Sequence, residues 1–283
     1  MKYILLPTDF SDASINAMEY AAQLFKDVDC TFYVLNTYTP VALYTTTIYD
    51  NHTALNIDLG EIYKNTSTEN VKKAIAKVVS MHPDDKHTYQ GISSYNVLHL
   101  EVKEFAAKQH IDCIIMGTSG ASGLKEVFIG SQTMQVIKDA HIPVIGVPVG
   151  YNYTIPKDIL FATDYYTNSQ QIGVSLLREL CTKHISRLIL LNAYHGSPLN
   201  DTQEKNKTDL DIYFKYQAHI LEIADGKEVL EAIEEIQSKH RIDLLVLVHN
   251  KHNFFENLLF TPIVRKVAHH SEIPFLILPH SKT

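Results

Sequence analysis

Lys108-Gln-His-Ile-Asp-Cys-Ile-Ile-Met116, followed at once by Gly117-Thr-Ser-Gly120, decides how this chain is read. A short apolar run bounded by polar residues and closed by glycines is the pattern of a buried parallel strand entering a turn. After nine intervening residues Gly120 is followed by Gly130-Ser131, at the start of a helical stretch over 131–140. A strand, a glycine-rich turn and a helix whose first N–H groups lack acceptors can together hold a phosphate. Taken alone, Gly117 and Gly120 would serve a tight turn equally well. The spacing matches neither the dinucleotide G-x-G-x-x-G nor the P-loop G-x-x-x-x-G-K.

The same strand occurs twice. Lys239-His-Arg-Ile-Asp-Leu-Leu-Val-Leu247 echoes the opening stretch, and Ser271-Glu-Ile-Pro-Phe-Leu-Ile-Leu-Pro279 echoes Ala140-His-Ile-Pro-Val-Ile-Gly-Val-Pro148. Both pairs keep one offset (243 − 112 = 131; 274 − 143 = 131), so a whole terminal unit is repeated without a gap. Near the other end of each copy, Asp158-Ile-Leu-Phe-Ala-Thr-Asp164 matches Tyr3-Ile-Leu-Leu-Pro-Thr-Asp9. A repeat of this length means two copies of one domain. The expected bounds are 1–149 and 150–283, joined through a segment carrying Gly150 and Pro156.

Within the first copy, strands are expected over 3–6, 31–35, 88–93, 112–116 and 143–147. Helices are expected over 11–26, 61–81, 97–110 and 131–140. Strands alternating with helices imply right-handed βαβ units and a parallel sheet, with ligands gathered at its carboxyl edge. The second copy has a shorter stretch between its second and third strands, so its long helix is expected to shrink to one or two turns.

Composition narrows the function. The 283 residues suffice for two domains with real cores, and 45% hydrophobic with 20% charged residues is a globular balance. A formal net charge of −7 with no Lys/Arg cluster argues against nucleic acid as partner. The longest apolar runs, such as 188–191 and 244–248, are too short to cross a bilayer. No leader is read ahead of Lys2-Tyr-Ile-Leu-Leu6. Cys30, Cys113 and Cys181 stand far apart, so reduced thiols and a cytoplasmic location are expected.

The offset allows an internal comparison. Gly117 becomes Val248, Gly120 becomes Lys251, Gly130 becomes Thr261 and Ser131 becomes Pro262. Bulkier residues replace every glycine, and Pro262 has no N–H to donate. The second copy keeps the fold and loses the motif. Asp9 reads two ways: as a helix-entry residue beside Ser11, or as a carboxylate accepting from an adenine amino group or ribose hydroxyl. Its counterpart Asp164 is kept, which favours a partly structural role.

Pro7-Thr8-Asp9-Phe10-Ser11, together with Met116-Gly117-x2-Gly120-x9-Gly130-Ser131 and the closing Pro143-Val144 strand, resembles the universal stress protein family, and its ATP-binding subset in particular. The resemblance covers the whole chain as a tandem. It implies two five-stranded parallel α/β domains of Rossmann-like, adenine nucleotide alpha hydrolase-like type, in strand order 3-2-1-4-5. The two would pair through their fifth strands, 144–147 against 275–278, as an intramolecular pseudo-dimer; the chain is expected to be a monomer of that kind or a homodimer. It further implies that Asp9, with the backbone of Pro7 and Thr8, meets adenine and ribose, and that Thr37 and Met116 line the base pocket. Gly117, Thr118, Gly120, Gly130 and Ser131 would hold phosphates, with Gln132 and Thr133 opening the helix beneath. Thr37 and Gln132 stand where family members commonly carry aliphatic residues, which makes this pocket more polar. The implied ligand is ATP, with or without Mg; AMP or another adenine nucleotide would use the same groups.

Other features carry less. His249, His252, His269 and His270 crowd the lost site of the second copy, but no Cys or carboxylate stands at zinc-ligand spacing, and no metal site is expected. The stretch 38–49, with Tyr38, Tyr44 and Tyr49, reads as a lid over the nucleotide or as an ordinary loop. The charge run 201–207 reads as solvated surface. No Ser-His-Asp order, paired carboxylates or Walker lysine marks a catalytic centre, and nothing places Lys125 or Glu126 on a γ-phosphate. The leading expectation is a nucleotide-binding stress-response regulator. A slow ATPase or phosphotransferase, or a scaffold that no longer binds nucleotide, are the alternatives.

Overall fold

In a computed structural model the chain is described over residues 1–39, 59–118, 130–194, 198–248 and 273–279. The first copy runs β1 (Lys2–Pro7), α1 (Asp12–Leu24), β2 (Cys30–Thr37), α2 (Leu59–Met81), β3 (His87–Ser94), α3 (Leu98–Gln109), β4 (Cys113–Gly117), α4 (Ser131–Asp139) and β5 (Val144–Val147). The second runs β6 (Asp158–Ala162), α5 (Val174–His184), β7 (Arg187–Tyr194), α6 (Asp201–Tyr213), β8 (His219–Asp225), α7 (Val229–Lys239), β9 (Leu244–Val248) and β10 (Phe275–Leu278). The residues between β5 and β6 form no regular element.

Each copy has the expected strand order 3-2-1-4-5, and together they make one ten-stranded sheet, β3-β2-β1-β4-β5-β10-β9-β6-β7-β8. Every pair inside a copy is parallel; the seam alone is antiparallel, β5 facing β10 through Val144–Ile277, Ile145–Leu276 and Gly146–Phe275. Ile145 and Leu276 are equivalent under the 131 offset, so the pseudo-twofold passes through their pair.

Both sheet faces are covered, which is why the strands read as continuous apolar runs. On one face Ile4, Leu6, Phe32 and Val34 pack with Met18 and Tyr20 of α1 and Val71 and Val78 of α2; the layer continues through Phe161, Leu190 and Leu177 of the second copy. On the other, Leu5, Leu35 and Ile114 meet Val102 of α3 and Val136 of α4. All three cysteines are buried and free, and burial pushes the Cys30 thiol up to about 12.

Helix ends follow local chemistry. Ser11 caps α1 by accepting from the Ser14 N–H, and α3 stops where His110 turns left-handed (φ 51°). The helix between β7 and β8 is longer than expected. Asn200 and Gln203 form a full capping box, and α6 runs 13 residues from Asp201 rather than one or two turns. The charge run 201–207 is the first half of that helix; Asn206 within it is buried and donates to the Tyr165 carbonyl at 2.9 Å. The capping box and this inward-facing amide supply what the short segment lacks in apolar surface.

Candidate functional site

The turn after β1 is built the same way in both copies. In the first, Thr8 Oγ1 accepts from the Phe10 N–H at 3.0 Å, and Asp9 Oδ1 accepts from the Ser11 N–H at 3.1 Å and the Ser11 hydroxyl at 2.5 Å. In the second, Thr163 Oγ1 accepts from the Tyr165 N–H at 3.0 Å and Asp164 Oδ1 from the Tyr166 N–H at 3.0 Å. Phe10 (φ 66°) and Tyr165 (φ 58°) both sit in the left-handed region, a strained state for aromatic residues that these bonds hold in place. The Thr8 and Thr163 carbonyls each accept from the side-chain amide of the neighbouring strand's asparagine, Asn36 at 2.7 Å and Asn192 at 2.9 Å. Asp9 and Asp164 therefore share a structural duty.

At the carboxyl edge of β1, β2 and β4 this turn walls a cleft of about 630 Å³. Pro7, Thr8 and Asp9 form one side and Thr37 ends β2 beside them. Met116 and Gly117 form the floor where β4 ends, and Gly130, Ser131, Gln132 and Thr133 close the far side at the start of α4. Thr118, expected to hold phosphate, is buried and is not among the lining residues: its N–H donates to Val147 O at 3.0 Å and its carbonyl accepts from the Gly130 N–H at 2.5 Å. Gly120 lies outside the described residues, as do Lys125, Glu126, most of the stretch 38–49, and His249, His252, His269 and His270.

Among the described residues no side chain caps α4: Gly130 is its N-cap, and the first helical bond is Met134 N–H to Gly130 O at 3.0 Å. Helix geometry leaves the N–H groups of the first turn without intrahelical acceptors, and the dipole adds positive potential there. Ser131 and Gln132 are exposed, whereas Thr133 is buried and its hydroxyl ties α4 to β4 by donating to Gly117 O at 2.9 Å. Asp9 is the one ionisable group among the described lining residues. The end at α4 is thus suited to an anion, and the end at Asp9, Asn36 and Thr37 to a neutral group with its own donors and acceptors.

Gly117 has a packing reason of its own. A Cβ there would lie 2.8 Å from Ala13 O and 2.9 Å from Ala13 C, so the close approach of α1 demands glycine. The counterpart of Asp12 is Thr167 (12 + 155 = 167), yet α5 begins at Val174, seven residues later (174 − 167 = 7). Where α1 crowds Gly117, the described residues of the second copy supply no helix, residues 167–173 being irregular, and Val248 is buried in its place.

Sequence reasoning missed Ser14, Asn36 and the Asn96-Val97-Leu98 junction, all of which line the cleft, as does Thr39 near the start of the stretch read as a lid or a loop. The Ser14 hydroxyl lies 2.9 Å from that of Thr8. Asn36 is the penultimate residue of β2 and Asn96 follows the end of β3, where ligands of parallel sheets collect, so the strand ends themselves were the available signal. Among the described residues no cluster of three or more His, Cys, Asp or Glu could hold a metal, and no helix is long and apolar enough to cross a membrane.

Comparison with known proteins follows the same division. The chain is 32% identical to the universal stress protein MJ0531 of Methanocaldococcus jannaschii over 146 residues, 51% of this chain and 80% of that one. It is 29% identical to MJ0577 of the same organism over 151 residues, 51% of this chain and 93% of that one. A universal stress protein structure from Archaeoglobus fulgidus aligns over 99% of this chain and 97% of its own, with a TM-score of 0.67 at 16% identity. That likeness extends the shared fold to both copies at once. The sequence pattern of the universal stress protein family matches residues 1–148 and again 157–279, and the chain belongs to that family as a tandem of two copies.

Proposed function

We propose that the first copy binds an adenine nucleotide, ATP foremost, and that the protein is a cytoplasmic stress-response regulator whose second copy no longer binds. The observation that carries this reading is the uncapped N-terminus of α4 facing the same cleft as the Asp9 turn and Thr37. An anion fits one end and a base with ribose fits the other, with β4 running beneath. Mg, where present, would be carried by the phosphates, because Asp9 is the sole described carboxylate in the lining and its Oδ1 is engaged by Ser11. The three buried thiols suit a reducing compartment.

In the second copy, Val248 replaces Gly117, and the Gln203 amide of α6 donates to Asp164 O at 2.8 Å, setting a helix end against the turn after β6. Bounds of 1–149 for the binding copy and 150–283 for the degenerate one go with this reading. Binding, rather than turnover, is what the lining residues support.

Calorimetry with ATP and AMP tests it, on the wild type and on a chain carrying Gly130→Val with Ser131→Pro. One site per chain in the wild type and none in the variant is the expected outcome. Absence of binding in both would end the nucleotide reading in favour of an interaction scaffold.

A further inference from the structure

The two ends of the ten-stranded sheet are the outer edges of β3 and β8, and they differ in relief. Asn36 and Asn192 make equivalent bonds, which aligns β2 with β7 and hence β3 with β8. Gly91 pairs with Val34 and Leu221 with Leu190; Ser93 pairs with Asn36 and Ile223 with Asn192. Leu221 thus stands where β3 has Gly91, and Ile223 where it has Ser93.

In the first copy those small residues let α2 seat on the strand. A Cβ on Gly91 would lie 2.6 Å from Val71 Cγ1, and the Ser67 hydroxyl donates to Ser93 Oγ at 2.8 Å. In the second copy no long helix among the described residues covers the matching positions, and Leu221 and Ile223 are 37% and 57% exposed, with Ile220 on the opposite face at 36%. An edge strand with free backbone groups and projecting aliphatic side chains is a template for strand pairing.

The β3 edge offers the opposite shape. Alongside it α2 walls a groove of about 500 Å³, lined by Val71, Ile75, Ala76, Val79, Tyr89 and Gly91. The Tyr89 hydroxyl there is buried without a hydrogen-bond partner. Val34 and Leu190, the partners of Gly91 and Leu221, belong to one core layer, so groove and projecting side chains lie on the same face of the sheet. Because the seam reverses strand direction, β8 runs antiparallel to β3.

We propose that β8 of one chain adds antiparallel to β3 of a second copy, with Leu221 and Ile223 entering the groove beneath α2. The occupant is a second copy because one chain carries both halves of the fit on one face and in the relative direction that an antiparallel ladder needs. Pairing β8 with β8 would set side chain against side chain and leave the groove empty. The contact is heterologous, so it propagates head to tail, and its small size makes it concentration-dependent.

Sedimentation equilibrium of the full chain over a wide concentration range tests this. The weight-average mass should climb past two chains with concentration. Leu221→Lys with Ile223→Lys should hold one protein at monomer mass, and Ala76→Arg, which fills the groove from an exposed helix position, should hold another there. An equimolar mixture of the two should recover association that stops at two chains, since one supplies an intact groove and the other an intact β8. Both variants alter exposed positions, and unchanged circular dichroism melts would show them folded. Monomer mass for the wild type throughout, association of the Ala76→Arg chain like wild type, or a mixture that fails to associate would each overturn the proposal.

Discussion

A methyl group placed on Gly146 would fall 2.3 Å from Cζ of Phe275, its partner across the seam. The ring occupies the space a side chain would take. Under the 131 offset Phe275 corresponds to Val144, and Gly146 to Ile277, so the two halves are not self-complementary here. A homodimer would have to match one strand to itself, whereas a tandem chain can set a large residue against none.

Gly146→Val should therefore destabilise the chain by roughly 1–3 kcal/mol through overpacking at the seam. Urea unfolding reads the loss as a lower midpoint. Adding Phe275→Ala should recover part of it, because trimming the ring removes the clash and the added valine fills some of the space the ring leaves. Strictly additive losses would mean that the ring shifts aside without cost.

A second tie between the copies predicts a pH dependence. His184 of α5 is only 7% exposed, and its Nε2 lies 3.1 Å from Leu24 O, the last residue of α1. Burial first, then the neighbouring Lys183 and Lys157 charges, lower its pKa from 6.5 to about 4 against the Leu24 bond that favours protonation. The unfolded chain then takes up a proton more readily than the folded one. Stability is fully present above about pH 6.5, falls as the pH drops towards 4 and levels off below. The loss is on the order of 3 kcal/mol across that window. Unfolding free energies at pH 7 and 5 measure it, and His184→Gln, which keeps a donor for Leu24 O, should flatten the dependence.

The fold was legible because burial on both faces writes parallel strands as apolar runs, and because the terminal unit repeats without a gap. The helix α6 was not legible. Its segment has little apolar periodicity, and its stability comes from the Asn200–Gln203 capping box and the inward Asn206 amide. Asp9, Met116 and Gly130, which turn chemistry marks in the chain, come together along one cleft. Asn36 and Asn96 were missed because one polar residue near a strand end looks like any surface residue until the strands are side by side, and Ser14 because a serine in the first turn of α1 reads as part of the helix start. The internal comparison at Gly117 also proved less clean than the sequence suggested, since α1 needs glycine there for packing.

Phe10 and Tyr165 hold the same left-handed position after β1 and β6, but the Tyr165 hydroxyl is buried with no hydrogen-bond partner among the described residues. An unpaired buried hydroxyl costs free energy, and removing it leaves an apolar residue of nearly the same shape. Tyr165→Phe should raise stability by about 1 kcal/mol, visible as a higher thermal midpoint. A lower midpoint would show that the hydroxyl has a partner it needs.

Gly117 lies on the cleft floor, so its replacement invites use as a test of ligand binding; the contact with Ala13 makes that test ambiguous. Gly117→Ala would place a methyl against the α1 backbone, which cannot rotate away as a side chain can. The expected result is a loss of about 1–3 kcal/mol in unfolding free energy even without ligand. The matching change on the other copy, Val248→Ala, opens space in a buried strand and should cost about 1–3 kcal/mol for a different reason, the lost burial of two methyl groups. Trimming the crowding side, by extending the change to Ala13→Gly, should restore part of the Gly117→Ala loss, since Ala13 Cβ is itself 3.1 Å from the new group. Gly117→Ala with wild-type stability would mean that α1 moves freely over β4, and that this glycine is there for the ligand after all.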